Sequence, residues 1–230
     1  MKKLVSLLLA LCLVFALGAT AFAADFPANG FSDVPRSAWY AEAVDFVKAS
    51  GLMNGVGDNR FDPDGTVTRA MVITVLYRLA DEPSVSGQSN PFRDVPNDPN
   101  CWYRNAVIWG VTNGVTNGDG SANVFSPNKA ITREQMATMI VRFLLSQAEM
   151  DFATKQMLNL LDAKTASEML EDELRDASSI SSWASVSVLI CKMTGIMNGD
   201  DAGNFRPQDT LSRAECAQTF LNLYTIGTEG

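Results

Sequence analysis

The chain has 230 residues, of which 47% are hydrophobic and 19% charged, a composition typical of a globular protein with a sizeable core. The 18 basic and 26 acidic residues give a net charge of -8, which argues against a protein that binds nucleic-acid phosphates. The sequence contains no histidine, which excludes Ser-His-Asp and Cys-His catalysis, histidine-ligated zinc and histidine pH switches.

The first 23 residues have the pattern of a secretory signal peptide. Lys2 and Lys3 precede an apolar run over 4–17, and the tripeptide Ala-Phe-Ala that ends at residue 23 fits the small-x-small cleavage rule. The run is shorter than a spanning helix of about 20 residues, and no second apolar stretch follows it. We therefore expect cleavage before Ala24 and an exported mature protein, with a retained N-terminal anchor as the alternative.

The mature cysteines do not indicate a disulfide framework. The mature chain has three widely spaced cysteines, Cys101, Cys191 and Cys216, so at most one disulfide can form. Cys216 falls on an apolar helix face, which favours a buried, inert thiol. We predict no metal site. The acidic loop 58–65 resembles a calcium-binding loop only superficially, because it places Arg60 at the first ligand position.

A threefold internal repeat organises the rest of the chain. In each copy a Trp is followed by a Gly-x-x-Asn-Gly pentapeptide, then by Phe-x-Pro, and then by an Arg that follows a hydroxyl residue. Chance does not produce this many fixed offsets three times, so we predict three homologous repeats. The landmarks are Trp39, Trp102 and Trp183; Gly51, Gly114 and Gly195, which open the pentapeptides; Phe61, Phe125 and Phe205; and Arg69, Arg133 and Arg213.

Each repeat is predicted to fold as helix, loop and helix. The first helix begins near the Trp and ends at the first Gly of the pentapeptide, which supplies a left-handed position. The second helix starts at the hydroxyl residue and carries apolar residues at three, seven and ten positions after the Arg. Three such amphipathic helices bury their stripes most simply against one another. We therefore predict a mainly all-α protein with a central three-helix core and pseudo-threefold symmetry.

The repeats and their linkers divide the chain into seven segments. A Ser/Gly/Pro-rich linker separates the first two repeats, and a segment rich in Ala, Leu, Met, Lys and Glu separates the last two. The apolar spacing of this second linker predicts an extra amphipathic helix, either a connector packed on the bundle or a partner-binding helix. The boundaries are signal peptide 1–23, lead-in 24–30, repeat 31–81, linker 82–91, repeat 92–147, helical linker 148–175 and repeat 176–230.

The repeated arginines lie one residue inside a predicted helix N-terminus. A cation at that position opposes the helix dipole by a few tenths to about 1 kcal/mol, so its repetition indicates a use. One use is an anion site, in which unpaired helix N–H groups and the guanidinium bind a carboxylate. The other is a structural salt bridge to the acidic loops, for instance to Asp33 or Asp94.

The other repeated residues have a structural and a functional interpretation. The three tryptophans are sugar-stacking platforms or part of the core. Gly55, Gly118 and Gly199 can let a ligand approach the backbone closely. Glu215 and Gln135 complete capping boxes and are assigned to helix initiation rather than acid–base chemistry.

The repeats closely resemble the S-layer homology family. The resemblance rests on Phe-x-Asp-Val at 31–34 and 92–95, on the Trp, on the pentapeptide, on Phe-x-Pro and on the Thr/Ser-Arg pair, and it covers nearly the whole mature chain. The third repeat lacks Phe-x-Asp-Val, and Asp176 is the nearest substitute. The resemblance implies three modules in an α-helical, three-pronged trimer. It also implies binding of secondary cell-wall polymers, often with pyruvylated N-acetylmannosamine, in grooves between neighbouring prongs.

Carried onto this sequence, the resemblance implies a set of glycan-binding residues contributed by all three repeats. These are the early Asp, the Trp, the second Gly of the pentapeptide and the motif Arg: Asp33, Trp39, Gly55 and Arg69; Asp94, Trp102, Gly118 and Arg133; and Asp176, Trp183, Gly199 and Arg213.

The expected function is therefore a non-catalytic anchor on the bacterial cell wall or S-layer, with no cofactor and no catalytic residues. Its expected partners are a secondary cell-wall polysaccharide or another peptidoglycan-linked glycopolymer, and other surface proteins. The repeats account for the chain, so a stand-alone anchor is expected. The alternative is a self-assembling S-layer protein or adaptor that recruits a partner through the linker helix.

Overall fold

A computed structural model describes residues 28–147 and 161–228 of the chain. Over these residues the protein is helical and contains isolated β-bridges but no strand, so the predicted all-α class is confirmed. Along the chain the helices are α1 (Ala41–Ala49), α2 (Arg69–Leu79), α3 (Arg104–Thr112), α4 (Arg133–Gln147), α5 (Ala163–Glu173), a 3₁₀ turn (Ala177–Ser179), α6 (Ser185–Thr194) and α7 (Arg213–Thr228). The signal peptide lies outside the described residues.

The first helix of every repeat starts two residues after its Trp and stops where the sequence predicts. These helices are α1, α3 and α6. The pentapeptide glycines follow their ends with φ of +70° at Gly51, +71° at Gly114 and +77° at Gly195. A left-handed residue at this point ends the helix and lets the chain reverse into the loop.

The second helices, α2, α4 and α7, start at the hydroxyl residues. Thr68 Oγ1 accepts a hydrogen bond from the Met71 amide at 3.4 Å, as an N-cap does. In α7 the Ser212 amide donates to Glu215 Oε2 at 2.9 Å and the Glu215 amide donates to Ser212 Oγ at 3.2 Å, which confirms the capping box. The predicted apolar residues at positions three and seven after each Arg are all buried: Val72, Leu76, Met136, Ile140, Cys216 and Phe220.

The described residues form two compact units. The first unit consists of residues 28–131 and 210–217, and the second of residues 132–147, 161–209 and 218–228. In the first unit α2 packs on α3, with the rings of Tyr77 and Trp109 5.6 Å apart. In the second unit α4 packs on α6, and the buried Cys191 thiol lies 3.9 Å from the Ala137 carbonyl oxygen. The central three-helix core involves helices from both units and stays a prediction.

The described part of the 148–175 linker contains the predicted amphipathic helix. Helix α5 buries Ala166 and Leu170 and packs on α6 and the following 3₁₀ turn. Asp162 caps its N-terminus, because Asp162 Oδ1 accepts a hydrogen bond from the Thr165 amide at 2.8 Å. This packing favours the connector interpretation. The apolar residues predicted at positions 150, 157 and 160 lie outside the described residues.

Candidate functional site

Three equivalent loops join the two helices of the repeats, and in each loop an aspartate holds the chain around the motif Phe. Asp33 accepts hydrogen bonds from the amides of Phe61 and Asp62, both at 2.8 Å. Asp94 does the same for Phe125 and Ser126 at 2.9 and 2.7 Å, and Asp176 for Phe205 and Arg206 at 2.8 and 2.7 Å. Each carboxylate therefore stabilises a bend whose second residue has a left-handed φ of about +60°.

Asp176 is the structural counterpart of Asp33 and Asp94. The segment that carries it, 174–177, reads Leu-Arg-Asp-Ala in place of Phe-x-Asp-Val. Its backbone makes the corresponding contact, since the Arg175 amide donates to the Gly203 carbonyl at 2.9 Å, as the Arg93 amide donates to the Asn123 carbonyl. The opening segment of the third repeat is thus present, but its two apolar positions are filled by Leu174 and Ala177.

The second glycine of each pentapeptide has protein backbone packed against its Cα. A Cβ added at Gly199 would lie 2.4 Å from the Asn204 carbonyl oxygen, and one at Gly118 would lie 2.5 Å from that of Val124. A Cβ at Gly55 would meet the Arg60 carbonyl oxygen at 2.6 Å. The close approach that these glycines permit is therefore made by their own loop.

The motif arginines are buried clamps between one repeat and the loop of another. Arg69 Nε donates to the Phe125 carbonyl at 2.8 Å and its Nη2 to the Gly118 carbonyl at 2.7 Å. Arg133 contacts the third loop and Arg213 the first loop in the same way, through one Nε and one Nη2 bond each at 2.7 Å. Their acceptors are the carbonyl oxygens of Phe205 and Asn198 for Arg133, and of Phe61 and Asn54 for Arg213.

Each guanidinium also lies over the ring of the Phe whose carbonyl it binds. The distances from guanidinium carbon to ring centroid are 4.9 Å for Arg69, 5.1 Å for Arg133 and 4.5 Å for Arg213. The three arginines expose only 2, 6 and 7% of their surface in that order, and the rings are fully buried. A cation–π contact and two charge-assisted hydrogen bonds offset the cost of burying the charge.

The helix N–H groups beside these arginines are occupied by protein. The Arg69 amide donates to the Lys129 carbonyl at 3.0 Å and the Ala70 amide to the Pro127 carbonyl at 3.0 Å. The first two amides of α4 and of α7 are bonded in the same way to carbonyl oxygens of the third and first loops. The expectation that unpaired helix amides form an anion site with the arginine is therefore wrong, because the neighbouring loop already supplies the acceptors.

The electrostatics of the arginines follow from their burial. Desolvation lowers the pKa of Arg69, and the carboxylates of Asp119 and Asp94 oppose this shift. Desolvation also lowers the pKa of Arg213, against the influence of Asp62 and Asp33. Arginine remains protonated at neutral pH even so, and each loop therefore contains a buried positive charge.

The three repeated tryptophans lie on the surface. Trp39, Trp102 and Trp183 expose 64, 59 and 54% of their surface, whereas Trp109, which is not part of the repeat, exposes 3%. The sequence is compatible with either a sugar-stacking platform or a core position for these residues, and their exposure excludes the core position. An exposed indole presents a large apolar face and an N–H donor, and Trp is enriched at interfaces with partners for this reason. Among the described residues no group of three or more His, Cys, Asp or Glu side chains is placed to hold a metal ion.

Sequence reasoning assigned no role to the motif phenylalanines or to the carbonyl groups that receive the arginines. Phe61, Phe125 and Phe205 recur at the same offset as the arginines, and that recurrence was the available signal. Which loop each arginine reaches depends on contacts between residues that lie 49 to 159 positions apart, and no local pattern carries that information.

The geometry defines a class of protein built from tandem helical repeats with buried polar clamps and exposed aromatic side chains. Comparison with protein families identifies these repeats: the model of the S-layer homology domain matches residues 30–70, 91–137 and 173–217. These matches cover more than half of the chain, which therefore belongs to the S-layer homology domain family.

Several curated bacterial proteins are similar to this chain. It is 27% identical to exoglucanase XynX of Acetivibrio thermocellus over 84% of this chain and 16% of that protein. It is 30% identical to an endoglucanase of Bacillus sp. (strain KSM-635) over 96% and 22%, and 29% identical to the surface-layer 125 kDa protein of Lysinibacillus sphaericus over 89% and 16%. The chain spans less than a quarter of the length of these relatives.

Membership of this family places the protein in a cellular context. The S-layer homology domain is a non-catalytic anchoring module, and this chain is a secreted, cell-wall-associated protein of the bacterial surface. No helix within residues 28–147 and 161–228 has both the length and the apolar character needed to cross a membrane.

Proposed function

We propose that this protein anchors to the cell wall by binding a secondary cell-wall polysaccharide through its three repeats. The observation that carries the proposal is the exposure of Trp39, Trp102 and Trp183 at equivalent positions, each more than half exposed. An indole face packs on the apolar face of a sugar ring, and three equivalent platforms suit a polymer with repeating sugars. Family membership supports a wall polymer as the ligand.

The twelve expected glycan-binding residues divide into two roles in this proposal. The three tryptophans contact the sugar, because their rings are accessible. The aspartates, glycines and arginines shape the loops, because their side chains or Cα positions are already engaged by protein atoms. The positive charge of the buried guanidinium in each loop attracts an acidic substituent of the glycan over a distance. The helix amides next to the arginine do not contribute, because they are bonded to carbonyl oxygens of the protein. Pyruvyl ketals, which the family resemblance implies, carry such a carboxylate.

Binding to purified wall sacculi tests the proposal. The protein is incubated with intact sacculi, with sacculi stripped of their acid-labile glycopolymer, and with sacculi whose glycopolymer lacks pyruvyl ketals. We expect binding to intact sacculi, none to stripped sacculi and strongly reduced binding without ketals. Equal binding to stripped sacculi would refute the glycopolymer as ligand. Equal binding without ketals would refute only the carboxylate part of the proposal.

We propose no hydrolytic activity for this chain, so no reducing sugar is expected to be released during incubation with sacculi. The alternative function, recruitment of a partner by the linker helix, has less support. Helix α5 buries Ala166 and Leu170 against other residues of the second unit, so these two described side chains are not available to a partner.

A further inference from the structure

Trp183 has a different environment from the other two exposed tryptophans. The ring of Trp39 lies edge-on to Tyr40, with centroids 5.2 Å apart, and Trp102 lies edge-on to Tyr103 at 5.1 Å. Both pairs have an interplanar angle of 87°, so the tyrosine restricts the indole in the same way in both repeats. In the third repeat the residue after the Trp is Ala184, which is fully buried and offers no ring.

A buried carboxylate lies next to the segment that carries Trp183. Glu134, the second residue of α4, exposes 3% of its surface. Its Oε2 accepts a hydrogen bond from the Ser181 amide and its Oε1 one from Ser181 Oγ, both at 2.9 Å. The Ser181 carbonyl in turn accepts from the Ala184 amide at 2.8 Å. Glu134 thus holds the first residue of the turn that presents Trp183.

Only the second repeat has a carboxylate at the position of Glu134. The residues that correspond to Glu134 in α2 and α7 are Ala70 and Ala214, which are buried as well. Burying a carboxylate costs free energy unless hydrogen bonds compensate, and here two charge-assisted bonds and the positive end of the α4 dipole do so. Glu134 and Ser181 both belong to the second unit.

We infer that Glu134 is a positioning residue for Trp183. Glu134 fixes the turn before α6, whereas in the other two repeats a tyrosine ring packs on the indole. The position of the indole in the third repeat therefore depends on a residue from the first turn of α4, which belongs to the second repeat. The effect on the turn is independent of ligand, whereas the effect on binding rests on the proposed function of Trp183.

Hydrogen exchange tests the effect on the turn. The variant Glu134→Ala places at this position the residue that the other two repeats have, so α4 is expected to fold. We expect exchange in the peptide over 177–184 to accelerate at least about tenfold, with 35–41 and 98–104 unchanged, because the Ser181 amide loses its acceptor. Glu134→Gln keeps one acceptor oxygen and is expected to restore part of the protection. The matched control is Glu215→Ala, which removes a first-turn carboxylate that pairs with Ser212 and is expected to leave 177–184 unchanged.

A four-variant cycle then tests the effect on binding. Affinity for purified secondary cell-wall polysaccharide is measured for the wild type, Glu134→Ala, Trp183→Ala and the double variant. We expect Glu134→Ala to weaken binding about threefold to tenfold in the wild type and to have no further effect once Trp183 is absent.

The outcomes separate the two proposals. Unchanged exchange over 177–184 in Glu134→Ala would overturn the positioning role. An equal loss of affinity with and without Trp183 would overturn it as well, since Glu134 would then act elsewhere. Accelerated exchange without any effect of Trp183→Ala on binding would support the positioning role and refute the glycan-binding role of Trp183.

Discussion

At the scale of single residues, the motif arginine is the side chain whose role the structure changes most. A guanidinium one residue inside a helix is unfavourable by its charge, so its repetition in the sequence indicates a use, either in an anion site or in a salt bridge. In the structure each arginine supplies two hydrogen bonds to loop carbonyls and covers a buried phenylalanine ring. Its contribution is therefore to hold a distant loop against the start of a helix.

We expect Arg69→Ala, Arg133→Ala and Arg213→Ala each to lower the free energy of unfolding by about 2–4 kcal/mol. The reason is that two carbonyl groups lose charged donors in a buried place, and the phenylalanine loses its cover. Urea unfolding followed by circular dichroism measures the loss. Arg60→Ala is the control, because the Arg60 side chain is 55% exposed and its ion pairs with Asp33 and Asp62, at 3.4 and 3.7 Å, are open to solvent. Arginine variants as stable as this control would contradict the clamp.

Acid should destabilise the loops through their aspartates. Burial raises the pKa of Asp33, but hydrogen bonds from the Phe61 and Asp62 amides outweigh it, and the net shift is downward. A carboxyl group with a lowered pKa in the folded state stabilises the fold above its unfolded pKa of 3.8, and this stabilisation is lost as pH falls through the folded value. In the second loop the Ser126 hydroxyl is the main group that lowers the pKa of Asp119, and in the third loop the Asn204 amide is the main group that lowers the pKa of Asp200, so each loop contains a carboxyl group with a lowered pKa, although at a different position in the first loop.

We therefore expect the urea midpoint to be nearly constant between pH 6 and 8, where the histidine-free chain has few groups to titrate, and to fall steeply below about pH 4. Asp33→Asn should be less stable at neutral pH and should show a shallower fall in acid. A midpoint that drops as steeply in Asp33→Asn as in the wild type would assign the acid sensitivity to other carboxylates.

At the scale of structural elements, the loop between the two helices is built around glycines of two kinds. Gly195 has a positive φ of +77° and open space where a side chain would be, whereas a Cβ at Gly199 would lie 2.4 Å from a backbone oxygen. The first kind of glycine ends a helix, and the second lets the loop fold back on itself.

This difference predicts unequal effects of the same substitution. We expect Gly195→Ala to cost about 1 kcal/mol, the strain of a left-handed alanine. Gly199→Ala is expected to cost about 3 kcal/mol, because backbone rather than a flexible side chain must move. Thermal unfolding of the two variants measures both values. Equal losses would mean that the loop yields to the added methyl group.

The helices and their ends could be predicted from the sequence, because local chemistry determines them. The left-handed glycine after α6 and the capping box of Ser212 and Glu215 are determined within a few residues. The partners of Arg133 and Glu134 could not be predicted, since Phe205 and Ser181 lie far along the chain. The sequence identified Asp176 as the substitute aspartate. It did not identify Leu-Arg-Asp-Ala at 174–177 as a full counterpart of Phe-x-Asp-Val, because the backbone role is retained while the apolar residues differ from those of the other repeats.

At the scale of the whole molecule, buried thiols report on the two compact units separately. Cys191 lies in the second unit and Cys216 in the first, and burial raises the pKa of each thiol to about 12. Cys101 is partly exposed, and all three are free thiols. Because the thiolate is the reactive form, a buried thiol with such a pKa is inert until its unit opens.

We expect N-ethylmaleimide at pH 8 to modify Cys101 in the native protein and to modify Cys191 and Cys216 only after unfolding in urea. Mass spectrometry of the digested protein identifies the modified sites. Simultaneous modification of Cys191 and Cys216 as urea rises would indicate that the units unfold together, and separate modification that they unfold one by one. Rapid modification of either residue in the native protein would contradict its burial.

The central claim is that exposed tryptophans bind the wall glycan while the buried arginines maintain the loops. Titration calorimetry with purified secondary cell-wall polysaccharide tests it most directly, using the variant in which Trp39, Trp102 and Trp183 are all replaced by Ala, with Val56→Ala as a matched exposed apolar control. We expect the triple variant to bind at least about tenfold more weakly while its free energy of unfolding changes by less than about 1 kcal/mol per site. A correctly folded triple variant with wild-type affinity would contradict the account.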